Sequence, residues 1–479
     1  MPPGPGPLTA AVVDLAAIAE RSYDPRLAEV GRRCLDRLRI PLSIALVGRV
    51  STGKSTLLNA LLGRKMAPTD GRECTQIVYV FRYDPHTTAT LVSRAGSERT
   101  TVDLDDRSRL PADFDLPASE ISYIDVTMPL PLLEEVTLLD TPGLASAETQ
   151  NSAATERMLH DTEESAARAD ALLFCVNGPI REDEAAAVRA FSGSRGAKRL
   201  SGATAIGILT RADQVAQDPL SSWTAATGLA RDMAARNTEL FSTVVPVVGL
   251  LAETAETGAL REPHARALGE LARAWSPDVA HDALASPMMF REEGGPVEGP
   301  VRTELLDLLG QFGVGRMLDR IRSGTRPDVV SLTREAAAAS GLAAMRTQIR
   351  RSLGSRSDVL KASGALEELM ESAYDAGDRS LYDAAQSMLD RPEMFPLKVI
   401  GMGRQLATGE VKPPAGLVEQ AWITVQTGLP RTTKAEASRA AAEWKRWAEL
   451  TDSAGQRLAR VMVRAWQLAA ESKSGEGPP

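Results

Sequence analysis

The chain has 479 residues, more than one hydrophobic core supports, and 43% of them are hydrophobic, enough to bury several cores. Three scattered cysteines, Cys34, Cys74 and Cys175, exclude a disulfide framework or a cysteine zinc site and point to a reducing cytoplasm, and the four histidines show no metal-ligand spacing. The net charge of −8 divides into −11 for the first 300 residues and +3 beyond them (25 Lys and Arg against 22 Asp and Glu), so the acidic half is a poor nucleic-acid binder while the second half tolerates an anionic surface.

No window approaches the run of about 18 apolar residues that a membrane-spanning helix needs. The N-terminus, Met1-Pro-Pro-Gly-Pro-Gly-Pro7, lacks the charged and apolar regions of a signal peptide. The expectation is a cytoplasmic protein, soluble or peripheral. Few aromatics beside abundant Ala and Leu favour helix over strand.

Residues 8–38 read as helix, with a break near Tyr23-Asp24-Pro25. A helix ahead of the first strand needs a packing partner, expected in the helical second half. Pro41 to Leu62 then gives an apolar strand, a glycine turn and an amphipathic helix, and Gly48, Gly53, Lys54 and Ser55 fill G-x-x-x-x-G-K-[ST]. Such a loop curls its backbone N–H groups around phosphate, and the helix dipole adds to them. The loop residues Gly48, Arg49, Val50, Ser51, Thr52, Gly53, Lys54, Ser55 and Thr56 are therefore candidate nucleotide contacts. Lys54 supplies charge to the β- and γ-phosphates, and the Ser55 hydroxyl is placed for Mg²⁺.

A polar loop from Ala67 leads to an alternating strand, Ile77 to Phe81, with Thr75 just before it. In guanine-nucleotide switches a threonine here closes over Mg²⁺ and the γ-phosphate. Leu91-Val-Ser93 and Thr100 to Leu104 suggest a small antiparallel excursion. The apolar strand Val136–Leu139 ends in Asp140-Thr-Pro-Gly143, which places Asp140 for Mg²⁺ and the Gly143 amide for the γ-phosphate. Ala169 to Asn177 is a buried strand in which Cys175 is packing.

A further strand ends in Thr210-Arg-Ala-Asp213, which resembles the N/T-K-x-D element of GTPases. There the carboxylate accepts two hydrogen bonds from guanine that adenine does not offer, each worth about 1.5–3 kcal/mol. Arg211 stands where lysine is usual, and a guanidinium also stacks on a base. Phe241 to Leu250 reads as the last core strand, with Gly249 and Leu250 placed to touch the base through backbone.

Beyond Gly258 the strand–helix alternation stops. Residues 276–300, with Pro277, Pro287, Pro296 and Pro300, read as loop or linker. Leu305 to Leu318 combines a helical pattern with Gly310, Gly313 and Gly315, which suits a hinge or a helix–turn–helix corner. Residues 327–389 and 417–471 are helical, and Met394 to Arg404, an apolar cluster with Lys398 and Arg404, is either a bilayer-contacting tip or a packed helix corner.

Taken together, Ile44 to Leu62, Ala67-Pro-Thr-Asp70, Thr75, Asp140-Thr-Pro-Gly143, Thr210-Arg-Ala-Asp213 and Val247 to Leu251 resemble bacterial dynamin-like GTPases, most of all the actinobacterial isoniazid-inducible group. The resemblance continues weakly through Gly310 to Val314 and Arg356 to Lys361. It implies an α/β GTPase head, a mostly parallel sheet with helices on both faces, joined to an extended helical bundle. The corresponding division is an N-terminal helical segment (1–40), the GTPase domain (41–258), a linker (259–302) and a neck and trunk (303–479) with a possible membrane tip near 392–414. It further implies GTP and Mg²⁺ as ligands, with Ser51, Lys54 and Thr75 in catalysis and Ser55, Thr75 and Asp140 at the metal. The heads would pair with themselves or a paralogous chain, and the protein would lie at the inner face of the plasma membrane on anionic lipid, with no nucleic acid as partner.

The chain departs from the group at Val50, where a glutamine often orients the attacking water, while the neighbouring Ser51 is placed to contact the charge developing between the β- and γ-phosphates. Leu144, after Gly143, supplies no Ras-like glutamine either. Two alternatives follow: an Era-like RNA or ribosome-assembly GTPase, from the similar phosphate-loop helix, and a slowly hydrolysing, nucleotide-gated scaffold for a paralogous partner.

Overall fold

A computed structural model describes residues 6–49, 51–66, 77–94, 99–105, 110–111, 114–141, 169–182, 184–186, 188, 204–218, 221–292, 295–407, 409–428, 430 and 432–471. Nine strands form one sheet: β1 (Leu42–Gly48), β2 (Tyr79–Tyr83), β3 (Thr88–Ser93), β4 (Arg99–Val102), β5 (Ile121–Met128), β6 (Val136–Asp140), β7 (Ala171–Val176), β8 (Ala205–Leu209) and β9 (Thr243–Pro246). Their order is β4-β3-β5-β2-β6-β1-β7-β8-β9. β1 runs parallel to β6 on one side and to β7 on the other, and β7, β8 and β9 continue parallel. β2 is antiparallel to β6 but parallel to β5, and β3 is antiparallel to both β4 and β5. The excursion after β2 thus extends the main sheet.

β1 is buried along its whole length, as a strand covered on both faces must be. Its side chains alternate: Leu42, Ile44 and Leu46 pack with the helix α3 (Lys54–Leu62), and Ala45 and Val47 pack into the opposite core. That second core holds α5 (Ser222–Arg236), α6 (Gly249–Glu256) and α7 (Glu262–Ala274), which follow the short α4 (Pro131–Glu135) in the chain. The result is an α/β head with a mixed, mostly parallel sheet and helices on both faces.

The remainder is helical: α8 (Pro277–Ala283), α9 (Pro287–Glu292), α10 (Gly299–Arg322), α11 (Val329–Ala339), α12 (Leu342–Ser352), α13 (Ser357–Asp375), α14 (Arg379–Leu389), α15 (Phe395–Ala407), α16 (Ala415–Thr427), α17 (Lys434–Ala448) and α18 (Ser453–Glu471). Leu305, Leu309 and Met317 of α10 join the head core that contains α5, and Leu342, Met345 and Ile349 of α12 join the face that contains α3. The strands therefore stop well before the head core does.

Two expectations are corrected. Much of 276–300 is helix: Pro277, Pro287 and Pro300 each sit in the first turn of a helix, where the missing N–H is no loss, and the Ser276 hydroxyl caps α8 by accepting from Val279 N at 3.2 Å. The strand expected over 241–250 is confined to Thr243–Pro246, and Gly249 already opens α6. Met394 to Ile400 resolves to the packed corner: Met394, Leu397, Val399 and Ile400 are all buried, and Lys398 pairs with Asp390 at 2.9 Å.

The two leading helices, α1 (Pro7–Glu20) and α2 (Pro25–Arg39), form a separate core with α13 and α14. Asp24 caps α2, accepting from Arg26 N at 2.8 Å and Leu27 N at 3.0 Å, which explains the break at Tyr23–Pro25. Asp358 of α13 does the same for α1 from 350 residues away, accepting from Leu8 N at 3.0 Å and from Thr9 N at 2.8 Å. Lys361 Nζ closes the junction by donating to the carbonyls of Leu38 (2.8 Å) and Ile40 (2.6 Å). The last core joins α16, α17 and α18 around a fully buried Trp444.

Candidate nucleotide site

β1 changes neighbours between β6 and β7, and in open α/β sheets ligands bind at such a point, beyond the carboxyl ends of the strands. The glycine loop leaves β1 at that place. Gly48 is required by close approach, since a Cβ there would lie 2.7 Å from Thr52 Oγ1 and 2.9 Å from the Cys175 carbonyl. Ser51 (φ 66°) and Gly53 (φ 82°) adopt left-handed conformations, so the loop turns in the concave fashion that aims N–H groups at an anion. Ser55 and Thr56 stand in the first turn of α3.

Lys54 Nζ donates to Asp140 Oδ1, and both side chains are almost wholly shielded from solvent. The lysine expected on phosphate and the carboxylate expected at Mg²⁺ therefore converge from adjacent strands. Next to Asp140, Thr141 Oγ1 donates to the Leu46 carbonyl at 2.8 Å, which ties the end of β6 to β1. Cys175 lies beneath the loop, and burial pushes its thiol up to about 12, with the Lys54 charge opposing and the Asp140 charge adding. It is packing, as expected.

The second element joins the loop from the side. Thr210 Oγ1 donates to the carbonyl of Thr52 and, at 3.0 Å, to that of Val176. Arg211 Nη2 donates to the Ser51 carbonyl at 2.8 Å, so its cation holds the phosphate loop, a role its sequence position alone did not disclose. Gly249 N donates to the Thr210 carbonyl at 3.2 Å and Arg211 bridges Val248, so Gly249 and Leu250 lie beside Thr210–Asp213. Asp213 is half-buried; burial raises its carboxyl above the usual range, opposed by its own backbone hydrogen bond and then by the Arg211 charge.

Gly48, Arg49, Ser51, Thr52, Gly53, Lys54, Ser55 and Thr56 thus share one loop and helix start with Asp140, Thr210, Arg211, Asp213, Gly249 and Leu250 around it. Val50, Thr75 and Gly143 lie outside the described residues. Among the described residues no group of three or more His, Cys, Asp or Glu side chains could hold a metal ion. The donor set, with its left-handed loop and a carboxylate against the loop lysine, fits a magnesium nucleotide.

Comparison with known proteins agrees with this geometry. A sequence profile described as the Dynamin family matches residues 44–179. Isoniazid-induced protein IniC of Mycobacterium tuberculosis (strain ATCC 25618 / H37Rv) is 33% identical over 337 residues, which span 70% of this chain and 67% of that protein. The chain belongs to the dynamin family. The bacterial dynamin-like protein of Nostoc punctiforme is 29% identical over 120 residues, covering 22% of this chain and 17% of that one. A solved structure described as "An oligomerised bacterial dynamin pair provides a mechanism for the long range sensing and tethering of membranes" aligns with 98% of this chain and 73% of its own, at 12% identity and a TM-score of 0.34. Membership of the dynamin-like GTPases takes precedence over the Era-like alternative. Among the described residues no helix is long and apolar enough to cross a membrane.

Proposed function

We propose that this dynamin-family chain binds GTP with Mg²⁺ at the loop between Gly48 and Ser55, hydrolyses it, and couples nucleotide state to pairing of its head with a second copy or a paralogous chain. The observation that carries the reading is the convergence of Lys54 and Asp140 inside the left-handed loop, with Thr210 and Arg211 clamping that loop from the base-reading side. Lys54 and the loop amides would hold the phosphates, Ser55, Asp140 and Thr75 the metal, and Asp213, Gly249 and Leu250 the base. Bound Mg²⁺ would neutralise charge on the β- and γ-phosphates. Ser51 and the loop around it would orient those phosphates, and Arg211 would hold the Ser51 carbonyl in place.

The division into a head from residue 41, a neck and trunk (303–479) and a leading helical segment (1–40) is part of the same proposal, with the helices of 259–302, first read as a linker, counted with the head because they pack in its core. So is contact with anionic lipid at the inner face of the plasma membrane. Its support moves from 392–404, where Met394, Leu397, Val399 and Ile400 are buried, to the α17–α18 turn, where Leu450 is 85% exposed and Lys445 and Arg446 are exposed one turn earlier, with the carboxylate of Glu449 next to it.

The test is GTP turnover and equilibrium GTP binding by the full chain, with and without Mg²⁺ and with vesicles of phosphatidylglycerol or of phosphatidylcholine. The reading expects Mg²⁺-dependent binding of GTP but not ATP, and turnover stimulated by the anionic vesicles. Equal binding of ATP and GTP would refute it.

A further inference from the structure

α10 is continuous from Gly299 to Arg322 except at Gly310, whose φ of 63° and ψ of 177° fall where essentially only glycine resides. The break occurs against the base-reading elements. A Cβ built on Gly310 would lie 3.7 Å from Asp213 Oδ2 and 3.7 Å from Leu250 Cδ2, and it meets no closer heavy atom. There is room for a methyl group; it is the backbone conformation that excludes one.

The surroundings hold the break in place. At a kink, carbonyls of the preceding turn lose their helical partners. Thr254 Oγ1 of α6 donates to the Leu308 carbonyl at 2.5 Å. Gln311 Nε2 donates to the Leu284 carbonyl at 2.6 Å. One turn on, Gly313 packs so tightly that a Cβ would come within 2.5 Å of Leu251 Cδ2, the residue that follows Leu250. The kink is thus held from both sides, by Thr254 of α6 and by the Leu284 carbonyl at the end of α8, and it lies beside Asp213 and Leu250.

We infer that Gly310 is a positioning residue for guanine recognition: the kink that it allows in α10 braces the Asp213 carboxylate and Leu250, so that the neck helix forms the back of the base site. The inference rests on the reading of Asp213 as the base-selecting carboxylate and adds the element that aims it. The Asp213 carboxylate gains from two N–H donors of guanine but only one of hypoxanthine, which lacks the exocyclic amine. The preference for GTP over ITP therefore reports how well that carboxylate is aimed.

The experiment compares GTP and ITP as competitors of a fluorescent GDP analogue, at constant Mg²⁺, on the full chain. In Gly310→Ala, the alanine drives residue 310 toward helical φ/ψ and straightens α10. The GTP-over-ITP preference is expected to shrink about tenfold, the size of one charge-assisted hydrogen bond, with ITP affinity falling by less than that of GTP. Thr254→Val, which keeps the shape but removes the hydroxyl holding Leu308, is expected to shrink it about threefold and decides the matter if Gly310→Ala does not fold. Gly299→Ala at the start of the same helix, with only the Arg291 carbonyl 3.7 Å away, serves as the neutral control. Wild-type preference in the variants, or equal losses for GTP and ITP, would overturn the inference. A wild-type chain that binds GTP and ITP alike would overturn the reading of Asp213 and the inference with it.

Discussion

The Arg37 guanidinium lies 3.2 Å from Asp170 Oδ1, and both side chains are sealed from solvent. Arg37 Nη1 also donates to Glu368 Oε2 at 3.0 Å, so one cation from α2 joins the head, at the residue just before β7, to the neck helix α13. Asp170 is anchored in turn by accepting from Ser43 N at 3.0 Å. Burial works against the Arg37 charge, but the Glu368 and Asp170 carboxylates outweigh it, and its pKa is raised. Arg37→Met should therefore destabilise the fold by about 3–5 kcal/mol by leaving the sealed Asp170 carboxylate without its cation, while Glu368 keeps its pair with Arg33. Urea unfolding measures this, with Arg32→Met, whose partners Glu29 and Asp36 are exposed, costing less than about 1 kcal/mol.

Removing the phosphate charge and removing the metal carboxylate should have separable effects. Lys54→Ala should abolish GTP and GDP binding with or without Mg²⁺. Asp140→Asn should leave Mg²⁺-free GDP binding near wild type while cancelling the Mg²⁺-dependent gain for GTP. Calorimetric titration at matched Mg²⁺ distinguishes them, and undiminished GTP affinity in Lys54→Ala would remove the phosphate-loop assignment.

If Asp213 reads guanine by accepting two hydrogen bonds, an amide there reverses the requirement. Asp213→Asn should weaken GTP by about 10²-fold and favour xanthine nucleotide, whose base presents a carbonyl in place of the amine. Competition binding with GTP and XTP checks the sign of the switch.

Glu436 sits at the N-terminus of α17 in a reciprocal cap. It accepts from Thr432 Oγ1 at 2.6 Å, Thr433 N at 2.9 Å and Thr433 Oγ1 at 2.8 Å, which hold its carboxyl down at about 2. Because the folded value lies below the usual 4.5, the unfolded chain binds the proton first. The cap's contribution is therefore complete above pH 4.5 and lost as pH falls toward 2. Side-chain carboxyl NMR should place the Glu436 midpoint near 2, and Thr433→Val should return it toward the ordinary value.

The helix corner and the hairpin turn should separate in a substitution pair. Ile400→Asp puts a charge into the core shared with Leu360 and Leu353 and should cost more than about 4 kcal/mol. Leu450→Asp should leave the melting temperature unchanged, because that side chain is 85% exposed, while lowering sedimentation with phosphatidylglycerol vesicles. Equal vesicle binding by Leu450→Asp and wild type would remove the turn as the contact.

The head was legible in the residues because its signals are local. A strand followed by G-x-x-x-x-G-K-S, and strands ending at Asp140 and at Thr210, each carry their chemistry within about ten residues. The structure brings Lys54, Asp140 and Arg211 together as adjacent strand ends require. What was illegible depends on distance along the chain or on context. Proline reads as a breaker, yet Pro277, Pro287 and Pro300 begin helices, since only the neighbouring turn decides which role applies. The apolar run Met394–Ile400 has the same composition whether it meets lipid or α13. Gly310 announced a break in α10, but no local signal places that break on Asp213, nearly a hundred residues earlier.

The cap that Asp358 provides to α1 has a consequence during synthesis. At about 5–20 residues per second, the leading helices emerge roughly 20–70 seconds before the carboxylate that completes them. Over that interval Val12, Leu15, Ala16, Leu27 and Leu35, all buried in the finished protein, have no partner from α13 and wait while the head is made between them. Although made before the head, α1 and α2 are among the last elements to be held. A chaperone bound to nascent chains should therefore occupy α1 and α2 until residues past Leu369 have left the ribosome.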